Sequence, residues 1–123
     1  MRLKNTLLVT SGCIKWGDNM RDLIYDVNGQ HLSESKTCDF KNIAKGSNNY
    51  LRLKFNTNHE WLNMAMAVLL RNSNGTAFNF PVKAGCCVLP YEAVSGLYFT
   101  FTLRGKNKEG QIITTNQVMV VQC

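Results

Sequence analysis

Chemistry in this chain would have to come from its thiols, imidazoles and carboxylates. The nucleophile and metal-ligand candidates are Cys13, Cys38, Cys86, Cys87 and Cys123, with His31 and His59 as the imidazoles. A nucleophilic cysteine needs a base within reach and a lowered pKa, and no spacing here ties Cys86 or Cys87 to His31 or His59. Structural zinc is usually held by paired ligands such as Cys-x-x-Cys, and none occurs. His59-Glu60 lacks the second His four residues on that a zinc protease requires. Asp18, Asn19 and Asp22 lack the Gly and terminal Glu of a calcium-binding loop. A glycine-rich phosphate loop is also missing. No catalytic, metal or cofactor-binding residue is therefore assigned, no cofactor is expected, and the chain is read as a non-enzyme.

Five is an odd number of cysteines, so at least one is unpaired within a monomer. Neighbours such as Cys86 and Cys87 face opposite sides of a strand, and a bond between them would be strained. The reading taken is five reduced thiols, mostly buried as small apolar side chains, in a protein assembled in the cytosol. A Cys38–Cys86 bridge between sheets is the alternative. Asn74-Gly75-Thr76 matches a glycosylation acceptor, but the reduced-thiol reading argues against its use.

The elements that would position these groups are strands. Leu97 to Leu103 alternates strictly, with Phe99, Phe101 and Leu103 on one side and Tyr98, Thr100 and Thr102 on the other. Arg104 to Gly110 reads as a polar hairpin loop, and Ile112 to Thr115 restarts a β-rich run. Tyr50 to Phe55 alternates too, burying Leu51, Leu53 and Phe55 and exposing Tyr50, Arg52 and Lys54. Asn28-Gly29 and Asn74-Gly75 sit between β-like runs and suit tight turns. Pro81 cannot donate to a ladder, which places its run at an edge or strand end. Glu60 to Leu70 contains good helix formers, yet the turn and strand that follow favour a loop at Trp61 and a strand from Met64 to Arg71. Pro90-Tyr91-Glu92-Ala93-Val94 reads as a short helical corner carrying the chain from one sheet to the other, with Glu92 favouring the first-turn amides. The expectation is one all-β domain over residues 1–123. Its architecture is an antiparallel, Ig-like β-sandwich of about eight or nine short strands, with one short helical turn near Pro90–Val94.

Charge narrows the partners. Lys and Arg number 14 against 8 Asp and Glu, for a net charge of +6. The basic residues are scattered, and Arg104, Lys106 and Lys108 form the one cluster. The plain reading of that cluster is a solvated, charged loop; an acidic protein is a plausible partner, whereas nucleic-acid binding would want a denser basic stripe with interleaved aromatics. No apolar run reaches the roughly 20 residues of a membrane span. At the N-terminus, Thr10-Ser11-Gly12-Cys13 faintly resembles a lipoprotein cleavage box. The apolar stretch before it is too short for a secretory signal, and a first strand, Leu3 to Val9, is the preferred reading.

The pieces Tyr50-Leu51-Arg52-Leu53-Lys54-Phe55, Trp61, Val82 through Val94, Phe99 to Gly105 and Ile113-Thr114-Thr115-Asn116 carry a family likeness. Together they resemble the small β-sandwich domain at the N-terminus of many tailed-bacteriophage structural proteins, of which the baseplate upper proteins are the known type. The likeness covers roughly residues 20 to 121. It implies a strand, a Gly-x-Cys-x-(Val/Leu)-Pro-x-Glu corner and a closing hairpin ending in Thr-Thr, in a virion part that docks other proteins. Such relatives usually continue into a coiled coil or fibre, whereas this chain stops at Cys123. The expectation is therefore a virion accessory assembled in the host cytoplasm, such as a capsid decoration, head-fibre anchor or tail component. It would be held in many copies by contacts with major capsid or tail proteins. The candidate contacts are Tyr50, Arg52 and Lys54 on one sheet face, and Arg104, Lys106 and Lys108 in the hairpin loop. Nucleic-acid, membrane and small-molecule partners are not expected. The alternative is a carbohydrate-binding module for host-surface glycans, with exposed Trp16 and Trp61 as stacking platforms.

Overall fold

The alternation after Leu97 becomes the longest strand of the structure. A computed structural model describes residues 19–123, and the main chain of 8–10 and 13–15. In chain order the elements are β1 (Leu8–Thr10), β2 (Cys13–Lys15), β3 (Arg21–Asn28), β4 (His31–Glu34) and β5 (Leu51–Thr57). A 3-10 turn (His59–Trp61) precedes β6 (Ala65–Asn72), β7 (Ala77–Val82) and β8 (Cys86–Val88). Then come α1 (Tyr91–Val94), β9 (Tyr98–Lys106), β10 (Ile112–Thr114) and β11 (Val118–Val121). Strands β1 and β2 pair as a hairpin. Most of the expected strand Leu3–Val9, the side chain of Cys13 and Trp16 lie outside the described residues.

The other nine strands form two sheets, ordered β4-β3-β5-β8 and β10-β9-β6-β7, with β11 beside β10 on the same side of β9. Both sheets contribute to one buried cluster, as an all-β sandwich requires. Leu23, Tyr25 and Val27 of β3 and Leu51, Leu53 and Phe55 of β5 meet Val68 and Leu70 of β6 and Phe99, Phe101 and Leu103 of β9. Tyr25 stands edge-on to Phe101, ring centroids 5.2 Å apart. Pro81 sits in β7, which pairs with β6 alone, at the sheet edge that a residue without an N–H tolerates.

One pairing departs from the antiparallel expectation. Strands β3 and β5 run parallel, from Arg21 opposite Leu51 to Val27 opposite Thr57. Parallel neighbours need a long crossover, and residues 35–50 supply it. The Arg21 guanidinium holds that segment in place: Nη1 donates to Asn42 O at 3.0 Å, and Nη2 to Asp39 O at 3.0 Å and Lys41 O at 2.6 Å.

The connections follow turn chemistry. Gly29, at φ 61°, opens the two-residue turn between β3 and β4, a left-handed position that glycine takes without a Cβ clash. The corner at Pro90 takes the chain from β8 in one sheet to β9 in the other. Gln122 Nε2 pins it, donating to Val94 O at 3.0 Å and Gly96 O at 2.9 Å. Between Thr114, opposite Arg104, and Val118, opposite Phe101, three residues face two of β9, a bulge. Asn116 in that bulge reaches the outer strand of the other sheet: Leu32 N–H donates to its Oδ1 at 2.7 Å, and its Nδ2 donates to Leu32 O at 3.1 Å.

Candidate docking surface

The thiols settle first. Cys86 and Cys87 fall on opposite faces of β8, Cys87 opposite Leu53 and Cys86 opposite Lys54. Cys87 packs into the core, and burial pushes its thiol up to about 12. A nucleophile is a thiolate, so Cys87 is a protonated core side chain at neutral pH. Cys86 is disulfide-bonded, while Cys38, Cys87 and Cys123 are free. This corrects the reading of five reduced thiols, and the Cys38–Cys86 alternative with it. Cys38 is engaged otherwise: its Sγ donates to Asp22 O at 3.3 Å and accepts from Ile24 N–H at 3.4 Å. The compartment argument built on reduced thiols, and the case it made against the Asn74 acceptor, thereby loses its premise. No group of three metal-ligating side chains gathers among the described residues.

Trp61 is not a surface platform. It is 2% exposed, its indole N–H donates to Gly29 O at 2.9 Å, and its ring lies against Gly105. A sugar-stacking tryptophan must present a face to solvent, so the glycan assignment of Trp61 is corrected. The 3-10 turn and the absence of a Cβ at Gly105 together seat the ring. That contact joins residues 44 positions apart, and no local pattern signals it.

The contact candidates separate. Arg52 is 3% exposed, which corrects its place on an open face. Alternation puts it on the outer side of β5, but there it is buried, with Nε on Asp22 Oδ1 at 2.5 Å and Nη1 near Met20 Sδ at 3.7 Å. Such a pair belongs to the fold, since a buried guanidinium requires a partner. Tyr50, just before β5, is exposed, and Lys54 within β5 is half-buried. Arg104 and Lys106 are not in a loop. Strand β9 runs on through Lys106, and the turn comes after it, with Lys108 there.

That longer strand creates a face that the sequence pattern did not single out. On the outside of the five-stranded sheet the residues stand in cross-strand rows. Val121 faces Tyr98. Met119, Thr100, Arg71 and Ala77 form the next row, and Thr102, Leu69 and Asn79 the one after. Thr114, Arg104, Ala67 and Pro81 follow, then Ile112, Lys106 and Ala65. Four large apolar side chains of this face are exposed: Tyr98, Ile112, Met119 and Val121. Three small residues, Ala65 and Ala67 on β6 and Ala77 on β7, stand among them. A shallow depression of about 440 Å³ opens beside Arg71, Asn79, Thr100, Thr102 and Gln117, with Leu69 at its side. Searches against protein-family models, curated proteins and solved structures find no match to this chain. The structural part of the functional reading therefore rests on this geometry alone.

Proposed function

We propose that the chain is a non-enzymatic structural module of a tailed-bacteriophage virion, an accessory or fibre anchor that attaches to capsid or tail proteins. The observation that carries the docking part is the outer face of the five-stranded sheet, where Tyr98, Met119 and Val121 are exposed side by side. Exposed apolar side chains gathered on one face mark interaction surfaces, and an aromatic and a methionine are the types enriched in interface cores. The virion setting comes from the likeness to phage sandwich domains. Repetition around a symmetric particle would turn a modest contact into firm attachment. The glycan-binding alternative loses Trp61, and no other observation favours it.

Mass spectrometry of gradient-purified particles from the source culture tests this reading. A copy number near that of the major capsid protein is expected for a capsid decoration, and a few copies per particle for a tail or fibre part. Absence from particles overturns the virion setting.

A further inference from the structure

We infer that the partner of this face is an acidic protein surface, and that the Arg71 depression receives one of its carboxylates. The inference rests on the docking reading above and adds the chemistry of the partner. Its ground is the sorting of charge between the two outer faces. The strand residues on the outside of β10-β9-β6-β7 include Arg71, Arg104 and Lys106, all exposed, and no Asp or Glu. The outer face of the opposite sheet carries two carboxylates in strand: Asp22 is paired with Arg52, and Asp26 accepts from the neutral Asn56 Nδ2 at 3.1 Å. The outside of that sheet therefore balances Asp22 and Asp26 against Arg52 and Lys54, while the strands of the cationic face bring no carboxylate to Arg71, Arg104 and Lys106.

Within the cationic face, the depression sets one guanidinium and several neutral polar side chains among the apolar Leu69, Leu70, Ala77 and Phe78. Arg71 spends one N–H on Gly75 O at 2.9 Å, and a guanidinium has five. The hydroxyls of Thr100 and Thr102 and the amides of Asn79 and Gln117 line the same hollow, with Gln117 Nε2 held on Thr100 Oγ1 at 3.1 Å. A planar cation beside neutral donors suits a carboxylate, which accepts hydrogen bonds and supplies the missing charge. The exposed Tyr98, Met119 and Val121 next to this hollow give apolar contact area that a phosphate backbone would not use, which favours protein over nucleic acid. A second copy placed face to face is disfavoured, because it would set Arg71, Arg104 and Lys106 against themselves.

The test is an amide-resolved NMR titration of the full chain with poly-L-glutamate in low salt, and in parallel with a short DNA duplex. The expected result is a focused set of shifts at Arg71, Thr100, Thr102 and Arg104 that collapses at high salt. The triple variant Arg71→Glu, Arg104→Glu, Lys106→Glu, checked for an unchanged melting temperature, should weaken apparent affinity by about tenfold or more. Shifts centred on Lys36, Lys41 and Lys45, or spread evenly over the surface, overturn the inference. So does tighter binding of the duplex to the same face, which would reassign the partner to nucleic acid. On particles the two readings separate. Attachment that survives the charge reversal but is lost in Met119→Ser, Val121→Ser overturns the acidic partner and leaves docking intact. Absence of the chain from particles removes the virion setting without touching the titration.

Discussion

The ring of Trp61 lies against the bare Cα of Gly105: a Cβ placed there would come within 2.7 Å of Cζ3 and 2.9 Å of Cε3. Met64 Sδ, at 3.0 Å from the same point, closes the other side. Gly105→Ala must therefore displace a buried indole that is also tied to Gly29 O. Overpacking of this kind costs about 1–3 kcal/mol. Urea unfolding should show a lower midpoint with an unchanged slope, and an unchanged midpoint would mean that the ring has room to move.

Arg52 and Lys54 are two residues apart on one strand, yet their removal should differ sharply. Arg52→Ala strips a buried cation from Asp22, whose side chain is 27% exposed, and leaves that carboxylate half-solvated without its partner. A loss of about 2–3 kcal/mol is expected, below the value for a fully buried pair because Asp22 still reaches water. Lys54→Ala should stay within about 0.5 kcal/mol. Equal effects in thermal melts would contradict the assignment of Arg52 to the fold.

Asn116 seals the β4 edge through two hydrogen bonds to Leu32. Asn116→Ala removes both and leaves the Leu32 main chain, in a residue 2% exposed, without those partners. The expected cost is about 1–2 kcal/mol. The Leu32 amide should exchange with deuterium faster than the amides of β5, and unchanged exchange there would refute the edge seal.

Cys87 and Tyr25 make the fold sensitive to alkali. Burial raises both above their ordinary values, Cys87 from 9.0 to about 12, so the folded state holds protons that the unfolded chain releases. Stability is therefore full below about pH 9 and falls as pH rises, at about 1.4 kcal/mol per pH unit for one retained proton. Cys87→Ala should start less stable and lose less stability between pH 8 and 10 than the parent chain, the remaining fall near pH 10 coming from Tyr25. In native buffer a thiol reagent should modify exposed Cys123 quickly and Cys87 only on unfolding. Rapid modification of Cys87 would show that the core thiol is reached without unfolding.

Much of this architecture was legible locally. Alternation at 97–103 fixes which side chains of β9 face the core, Pro81 marks an edge, and Pro90 marks the change of sheet, because each is a property of a few adjacent residues. The parallel β3–β5 pairing was not, since it depends on a crossover held by Arg21 to carbonyls 18–21 residues away. Alternation gives the side of a strand on which Arg52 stands but says nothing of what buries it there. Arg104 and Lys106 looked like loop residues because charge is common in loops. An outward-facing strand position accommodates them equally well, and only the pairing with β6 and β10 reveals the face they share with Arg71.

The central claim, docking through the outer face of the five-stranded sheet, is tested most directly by hydroxyl-radical footprinting of the chain free and on purified particles. Met119, Tyr98 and Val121 should be oxidised readily in the free chain and protected on the particle, while Tyr50 and Tyr91 stay equally reactive in both. Unchanged oxidation of Met119 and Tyr98 on the particle, with protection appearing at Tyr50 or Tyr91 instead, would contradict it.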